Sequence, residues 1–144
     1  MQKLWILVGL WSLFLLAACG GIDETVAPKA EAITCTVAYR ADITGPIEQE
    51  ETIGFTDSDD EQSVAFAAMR FHAAYSTGAT DNERVLRVWV TDGDDMDIYQ
   101  SHLYQLSPDS GPQNQFVGGH GFTGLNYSYA PDSSAELQFW CEAG

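Results

Sequence analysis

Residues Ile33-Thr34-Cys35-Thr36-Val37-Ala38-Tyr39-Arg40 alternate in polarity, and Ala135 to Glu142, near the other end of the 144-residue chain, do the same. A period of two is the side-chain period of an extended strand, so Ile33, Cys35, Val37 and Tyr39 share one face while Thr34, Thr36 and Arg40 share the other. In the second segment Ala135, Leu137, Phe139 and Cys141 oppose Glu136, Gln138, Trp140 and Glu142. Strands with one apolar and one polar face belong to antiparallel sheets that cover a core on one side only. The stable solutions are two such sheets packed together or one sheet closed on itself.

The sequence between these ends supplies further strands. Ile47 to Phe55 follows the Gly45-Pro46 turn, and its Glu48, Glu50 and Glu51 suit an edge position, where charge discourages pairing with other chains. Arg84 to Thr91 is rich in Val and Trp; Ile98 to Leu106 lies between the turn Asp92-Gly93-Asp94-Asp95 and the loop Ser107-Pro108-Asp109-Ser110-Gly111-Pro112. Leu125, Tyr127 and Tyr129 alternate again. The spacing predicts an all-β fold, a single small antiparallel sandwich or barrel of about seven to eight strands.

Two readings compete between residues 58 and 78. Ser58-Asp59-Asp60-Glu61 has the form of a capping box before an Ala-rich run, Val64 to Tyr75, that a helix would end near Gly78. That helix leaves Phe66 and Met69 off its apolar stripe. Alternation puts Met69, Phe71, Ala73 and Tyr75 opposite Arg70 and His72, with a bulge near Ala67 and Ala68 to restore the parity of Phe66. The strand accounts for more of the residues.

The N-terminus addresses location. A basic residue, Lys3, precedes an apolar run from Leu4 to Leu16, which closes on Ala17, Ala18 and Cys19. Leu16-Ala17-Ala18-Cys19 resembles the lipobox of bacterial lipoproteins. The resemblance implies removal of a signal peptide, residues 1–18, and lipidation of Cys19. About thirteen apolar residues fall short of the roughly twenty that span hydrocarbon as a helix, so lipid supplies the anchor in this reading. Gly20 follows the cysteine, where an Asp signals inner-membrane retention in Gram-negative lipoproteins, so an outer-membrane or surface address is expected. Residues 19–30 then form the lipidated cysteine and a flexible tether, and residues 31–144 the domain. With Cys19 given to lipid, Cys35 and Cys141 are an even pair in an oxidising compartment, and a disulfide joining the first and last strands follows.

The chain has 21 acidic and 6 basic residues, net −15, and loses only Lys3 with the signal, leaving five basic residues and net −16. Such a field disfavours nucleic acid and anionic lipid, so no nucleic-acid partner is expected, and it attracts cations or basic proteins. Solubility in a crowded exterior is the plainer consequence of the same charge. Aromatic residues make up 12% of the chain, enough for a folded core.

Candidate sites are few. Gly119-His120-Gly121-Phe122-Thr123-Gly124 has the spacing of a dinucleotide fingerprint, but a strand follows it where the fingerprint needs a helix. The glycines predict positive φ angles, and a ligand loop built from Gly119, His120, Gly121, Phe122 and Asn126 is the functional alternative. Asp92, Asp94, Asp95 and Asp97 offer oxygen ligands to calcium, without the glycine and bidentate Glu of an EF-hand; a solvated hairpin turn explains them as well. His72, His102 and His120 stand apart, with no metal motif, and no G-x-S-x-G elbow marks a catalytic serine. Trp89 and Trp140 fall on the outward faces of their strands. The expected function is a membrane-anchored, non-enzymatic binding or structural module of the cell envelope that meets an unknown protein or small ligand. The alternatives are an acidic inhibitor or scavenger of a cationic protein, and a calcium-binding module.

Overall fold

The computed structural model describes residues 32–56, 60–77, 84–106 and 118–144. The signal segment, Cys19, the tether and the loop from Ser107 to Pro112 lie outside the described residues, as do Asp57, Ser58 and Asp59.

Eight strands and no helix occur among the described residues: β1 (Ile33–Arg40), β2 (Gln49–Phe55), β3 (Asp60–Ala65), β4 (Met69–Thr77), β5 (Arg84–Asp92), β6 (Ile98–Leu106), β7 (Asn126–Tyr129) and β8 (Glu136–Ala143). They form two four-stranded sheets, sheet I in the order β2-β1-β8-β7 and sheet II in the order β3-β4-β5-β6. All pairings are antiparallel. The molecule is the expected all-β fold, in its sandwich form, and at the sheet borders β2 touches β3 and β6 touches β7 only briefly.

Alternation decides which face goes inward. Ile33, Cys35, Val37 and Tyr39 of β1 are buried, and their partners Cys141, Phe139 and Leu137 on β8 are fully buried beside them. Sheet II answers with Phe71, Ala73 and Tyr75 of β4 and Leu86, Val88 and Val90 of β5. Phe71 and Phe139 meet across the sandwich with ring centroids 5.2 Å apart. Each such side chain contributes roughly 1.5–3 kcal/mol on leaving water, which is why the polar residues of both strands are turned outward.

Cys35 and Cys141 are directly opposite in the β1–β8 register and form a disulfide, Cα to Cα 4.0 Å. The bond joins the first strand to the last across 106 positions of sequence. Both sulfurs sit in the core with no exposure.

The segment from Val64 to Tyr75 is extended, as alternation indicates, but the expected bulge at Ala67 and Ala68 is a chain reversal. β3 and β4 pair as a hairpin, with Ala65 opposite Arg70 and the Phe66 amide donating to the Met69 carbonyl. Phe66 changes parity because it occupies the turn, where it is buried and stacked on Tyr39 at 5.3 Å. The turn contains no Gly, Pro or Asn, so the usual punctuation is missing. Other borders shift by one or two residues, as where β2 starts at Gln49 rather than Ile47 and β7 at Asn126 rather than Leu125.

Candidate functional site

The glycine-rich loop completes sheet I. β7 pairs with β8 only as far as Phe139, so the backbone groups of Cys141 need other partners. The loop provides them: the Phe122 amide donates to the Cys141 carbonyl at 3.0 Å, and the Cys141 amide donates to Thr123 Oγ1 at 2.7 Å. Gly119, Gly121 and Gly124 have positive φ, as the sequence predicts, and so does Gly118 before them. Gly121 is the position that requires glycine, since a Cβ there would lie 2.0 Å from the Cys141 carbonyl oxygen. Asn126 ties the loop down by donating from Nδ2 to the carbonyls of Gly124, at 2.9 Å, and Thr123, at 3.3 Å.

The five residues expected to form a ligand loop therefore divide. Phe122 packs against the core edge-on to Tyr104, at 6.1 Å. Asn126 also donates to the Tyr104 hydroxyl, whose pKa burial raises and that hydrogen bond lowers. Gly121 presses on β8, and Gly119 stands clear of any neighbour. His120 alone turns toward a side chain on the outer surface, meeting Trp140 edge to face at 5.4 Å.

Trp140 belongs to the outer face of sheet I, and the register maps that face. Across β1, β8 and β7, Arg40 stands opposite Glu136 and Glu136 opposite Tyr129; Ala38 stands opposite Gln138 and Gln138 opposite Tyr127. Thr36 stands opposite Trp140, Thr34 opposite Glu142, and Glu50 of β2 opposite Ala38. Tyr127 and Tyr129 are 43% and 55% exposed, large values for aromatic rings on a sheet. Tyr127 stands beside Gln138 and Tyr129 beside Glu136, with Trp140 two residues beyond Gln138 along β8. Three aromatic side chains thus share one face with Thr34, Thr36 and Ala38, whose small size leaves the sheet low between the aromatic side and Glu50.

The polar groups of this face are fixed in place. Arg40 pairs with the buried Glu136 at 2.6 Å, and Gln138 Nε2 donates to the same Glu136 oxygen at 2.6 Å. Tyr129 also bonds to Glu136. Desolvation first, then the Glu136 charge and hydrogen bond, raise its phenol above the usual range, so the ring presents a neutral hydroxyl. With Arg40 spent on Glu136, Glu50 and Glu142 leave the face negative.

The aspartate turn is organised by protein donors. Asp92 Oδ1 accepts from the amides of Met96 and Asp97, at 2.7 and 3.1 Å. Asp95, in the left-handed region at φ 59°, accepts from Thr91 Oγ1 at 2.6 Å and lies 2.9 Å from His72 Nε2 and 2.7 Å from Arg70. The Thr91 hydroxyl, then His72 and Arg70, hold the Asp95 carboxyl below the ordinary carboxylate range against some desolvation. No three His, Cys, Asp or Glu side chains gather in a metal-holding group among the described residues. Asp92 and Asp95 are thereby turned toward donors, leaving Asp94 and Asp97 to solvent.

The histidines stay separate: His72 is stacked on Trp89 outside sheet II, at 4.8 Å and 3°, while His102 faces Phe139 inside the sandwich. Arg87 covers Trp89 at 4.6 Å, so Trp89, although outward, has its ring occupied. Among the described residues Tyr127 and Tyr129 are the exposed aromatic side chains, with the half-buried Trp140, met by His120, on the same face. Sequence alternation assigns Leu125, Tyr127 and Tyr129 to one face without saying which; the β7–β8 register decides. No family model matches the chain, and neither a curated protein nor a solved structure matches it, so its site is read from these side chains alone.

Proposed function

We propose that the chain is a non-enzymatic binding module of the cell envelope, held to its membrane by lipid on Cys19, which takes its partner on the outer face of sheet I. The observation that carries this reading is the exposure of Tyr127 and Tyr129 beside Trp140, on a face whose free charges are carboxylates. Aromatic rings attract cations over their faces, and carboxylates pair with them at the rim. A chain of net charge −15 adds long-range attraction of the same sign. The partner class is accordingly a basic protein segment, presenting Lys or Arg to the rings and to Glu50 and Glu142.

The test uses poly-lysine as probe, with Trp fluorescence as readout. The double variant Tyr127→Ala/Tyr129→Ala removes two exposed cation–π contacts of about 0.5–1 kcal/mol each, which is roughly a 5- to 30-fold loss of affinity. Affinity of the parent protein also falls steeply with salt. Affinity equal in parent and variant removes the aromatic face from the reading; binding insensitive to salt removes the cationic partner.

A further inference from the structure

Four strands border the two sheets, β2 and β7 in sheet I, β3 and β6 in sheet II. A border strand exposes unpaired N–H and C=O groups, and sheets protect themselves there with charge, proline, bulges or brevity. β2 carries Glu50 and Glu51, β3 carries Asp60 and Glu61, and β7 is four residues long. β6 is different. Ile98-Tyr99-Gln100-Ser101-His102-Leu103-Tyr104-Gln105-Leu106 holds no Asp, Glu, Lys, Arg or Pro, in a chain with 21 acidic residues. Its irregularity lies near the start, where Thr91 pairs with Ile98 and Val90 with Gln100, so Gln100 to Leu106 runs in regular register.

β6 is also firmly seated, and its outer face, where Ser101 and Gln105 are the polar members, carries large exposed apolar side chains. Gln100, His102 and Tyr104 face inward, with Gln100 hydrogen-bonded to His102 and Tyr104 packed on Phe122. Ile98 and Leu103, opposite Thr91 and Arg87, are 58% and 68% exposed, and Met96 just before the strand is 80% exposed.

We propose that β6 is a dimerisation edge, which pairs antiparallel with β6 of a second copy of this chain and joins the two four-stranded sheets II into one of eight. Charge selects the occupant. Copies approaching through β2, β3 or the aspartate turn set carboxylates against carboxylates, whereas β6 against β6 opposes no like charges. Antiparallel pairing also sends the Asp97 end of each strand to the Leu106 end of the other, which keeps the two acidic turns apart. The contact is isologous and closes at two, because each copy spends the one border strand among the described residues that carries neither charge nor proline and is longer than four residues. Ile98 and Leu103 bury against their counterparts on the joined surface. This inference is independent of the binding face on sheet I.

Sedimentation velocity of the purified full chain, in density-matched detergent over a roughly hundredfold concentration range, tests it. The parent chain reaches twice the mass of one chain and stops there. Leu103→Lys places ammonium groups on the joined surface and raises the dissociation constant about tenfold or more, while near-UV circular dichroism stays that of the parent. Ile98→Lys does the same independently. Tyr127→Ala/Tyr129→Ala leaves the dimer intact. A parent chain monomeric throughout, assembly beyond two, a dimer unchanged in both lysine variants, or one lost with the tyrosines overturns the proposal.

Discussion

Replacing both bridge cysteines, Cys35→Ala with Cys141→Ala, measures what the link between the first and last strands contributes. A cross-link across 106 positions lowers the entropy of the unfolded chain by an amount worth about 4.7 kcal/mol at 25 °C on the chain-entropy scale. The two vacated sulfur positions, buried without exposure, add about 1 kcal/mol of cavity cost. Unfolding entropy near 2.1 cal/mol/K per residue gives a domain spanning residues 32–144 roughly 0.24 kcal/mol/K, so the expected fall in Tm is about 20–25 °C. Domains hold only about 5–15 kcal/mol in all, and the variant keeps a fraction of that. Thermal melts followed by circular dichroism measure the fall. Urea titration supplies a second readout, because an uncross-linked unfolded chain exposes more surface and raises the m-value. A fall in Tm below about 5 °C, with m unchanged, would refute the reasoning: the bridge would then add little to a sheet already closed by the β1–β8 pairing.

Two further outcomes follow from single side chains. Gly121→Ala forces a Cβ against the Cys141 carbonyl and breaks the Phe122 hydrogen bond, costing about 2–4 kcal/mol, whereas Gly119→Ala, with open space around it, costs about 1; equal losses in denaturant titrations would mean that the close approach is not the cause. Asp95 has its pKa lowered by folding, so its contribution to stability is present above the ordinary carboxylate value near 4 and disappears as pH falls through the lower folded value. The Tm difference between the parent and Asp95→Asn is therefore expected to shrink as pH drops from about 6 to 3; a difference constant over that range counts against the Thr91, His72 and Arg70 network.

Much of the fold is legible in the sequence because burial on one face imposes a strict period of two. β1 and β8 show it most clearly, down to the parity that brings Cys35 and Cys141 together. The β3–β4 hairpin is less legible: Phe66-Ala67-Ala68 turns without a turn residue, and what holds it is Phe66 stacked on Tyr39 of the other sheet. Gly121 announces a special backbone in the sequence, but its partner, the Cys141 carbonyl, is set by a contact twenty residues away. Asp95 cannot be told from Asp92, Asp94 or Asp97 by composition. Its distinction comes from His72 and Arg70, which only the β4–β5 pairing brings near. The binding face has the same character, since outward rings on β7 and β8 become a surface only once those strands are neighbours.

The Gly144 amide bonds to the Ala32 carbonyl at 2.7 Å, so the described chain begins and ends at one pole of the sandwich. The opposite pole gathers the β1–β2 and β7–β8 turns, joined by Ile43 and Ser134, with the β3–β4 and β5–β6 turns beside them. Asp42, Asp94, Asp97 and Asp132 stand on those turns. Strands of eight or nine residues at about 3.3 Å each separate the poles by roughly 25–30 Å. For a chain held by lipid on Cys19, the domain would be a short post tipped with aspartate and rooted at a pole that itself carries Asp60, Glu61 and Glu142. An anionic surface acts on carboxylates within about 8 Å at physiological salt, so it would be felt by those of the rooted pole and not by the aspartate tip. A basic molecule approaching from outside would meet the aspartate crown before it met the aromatic flank.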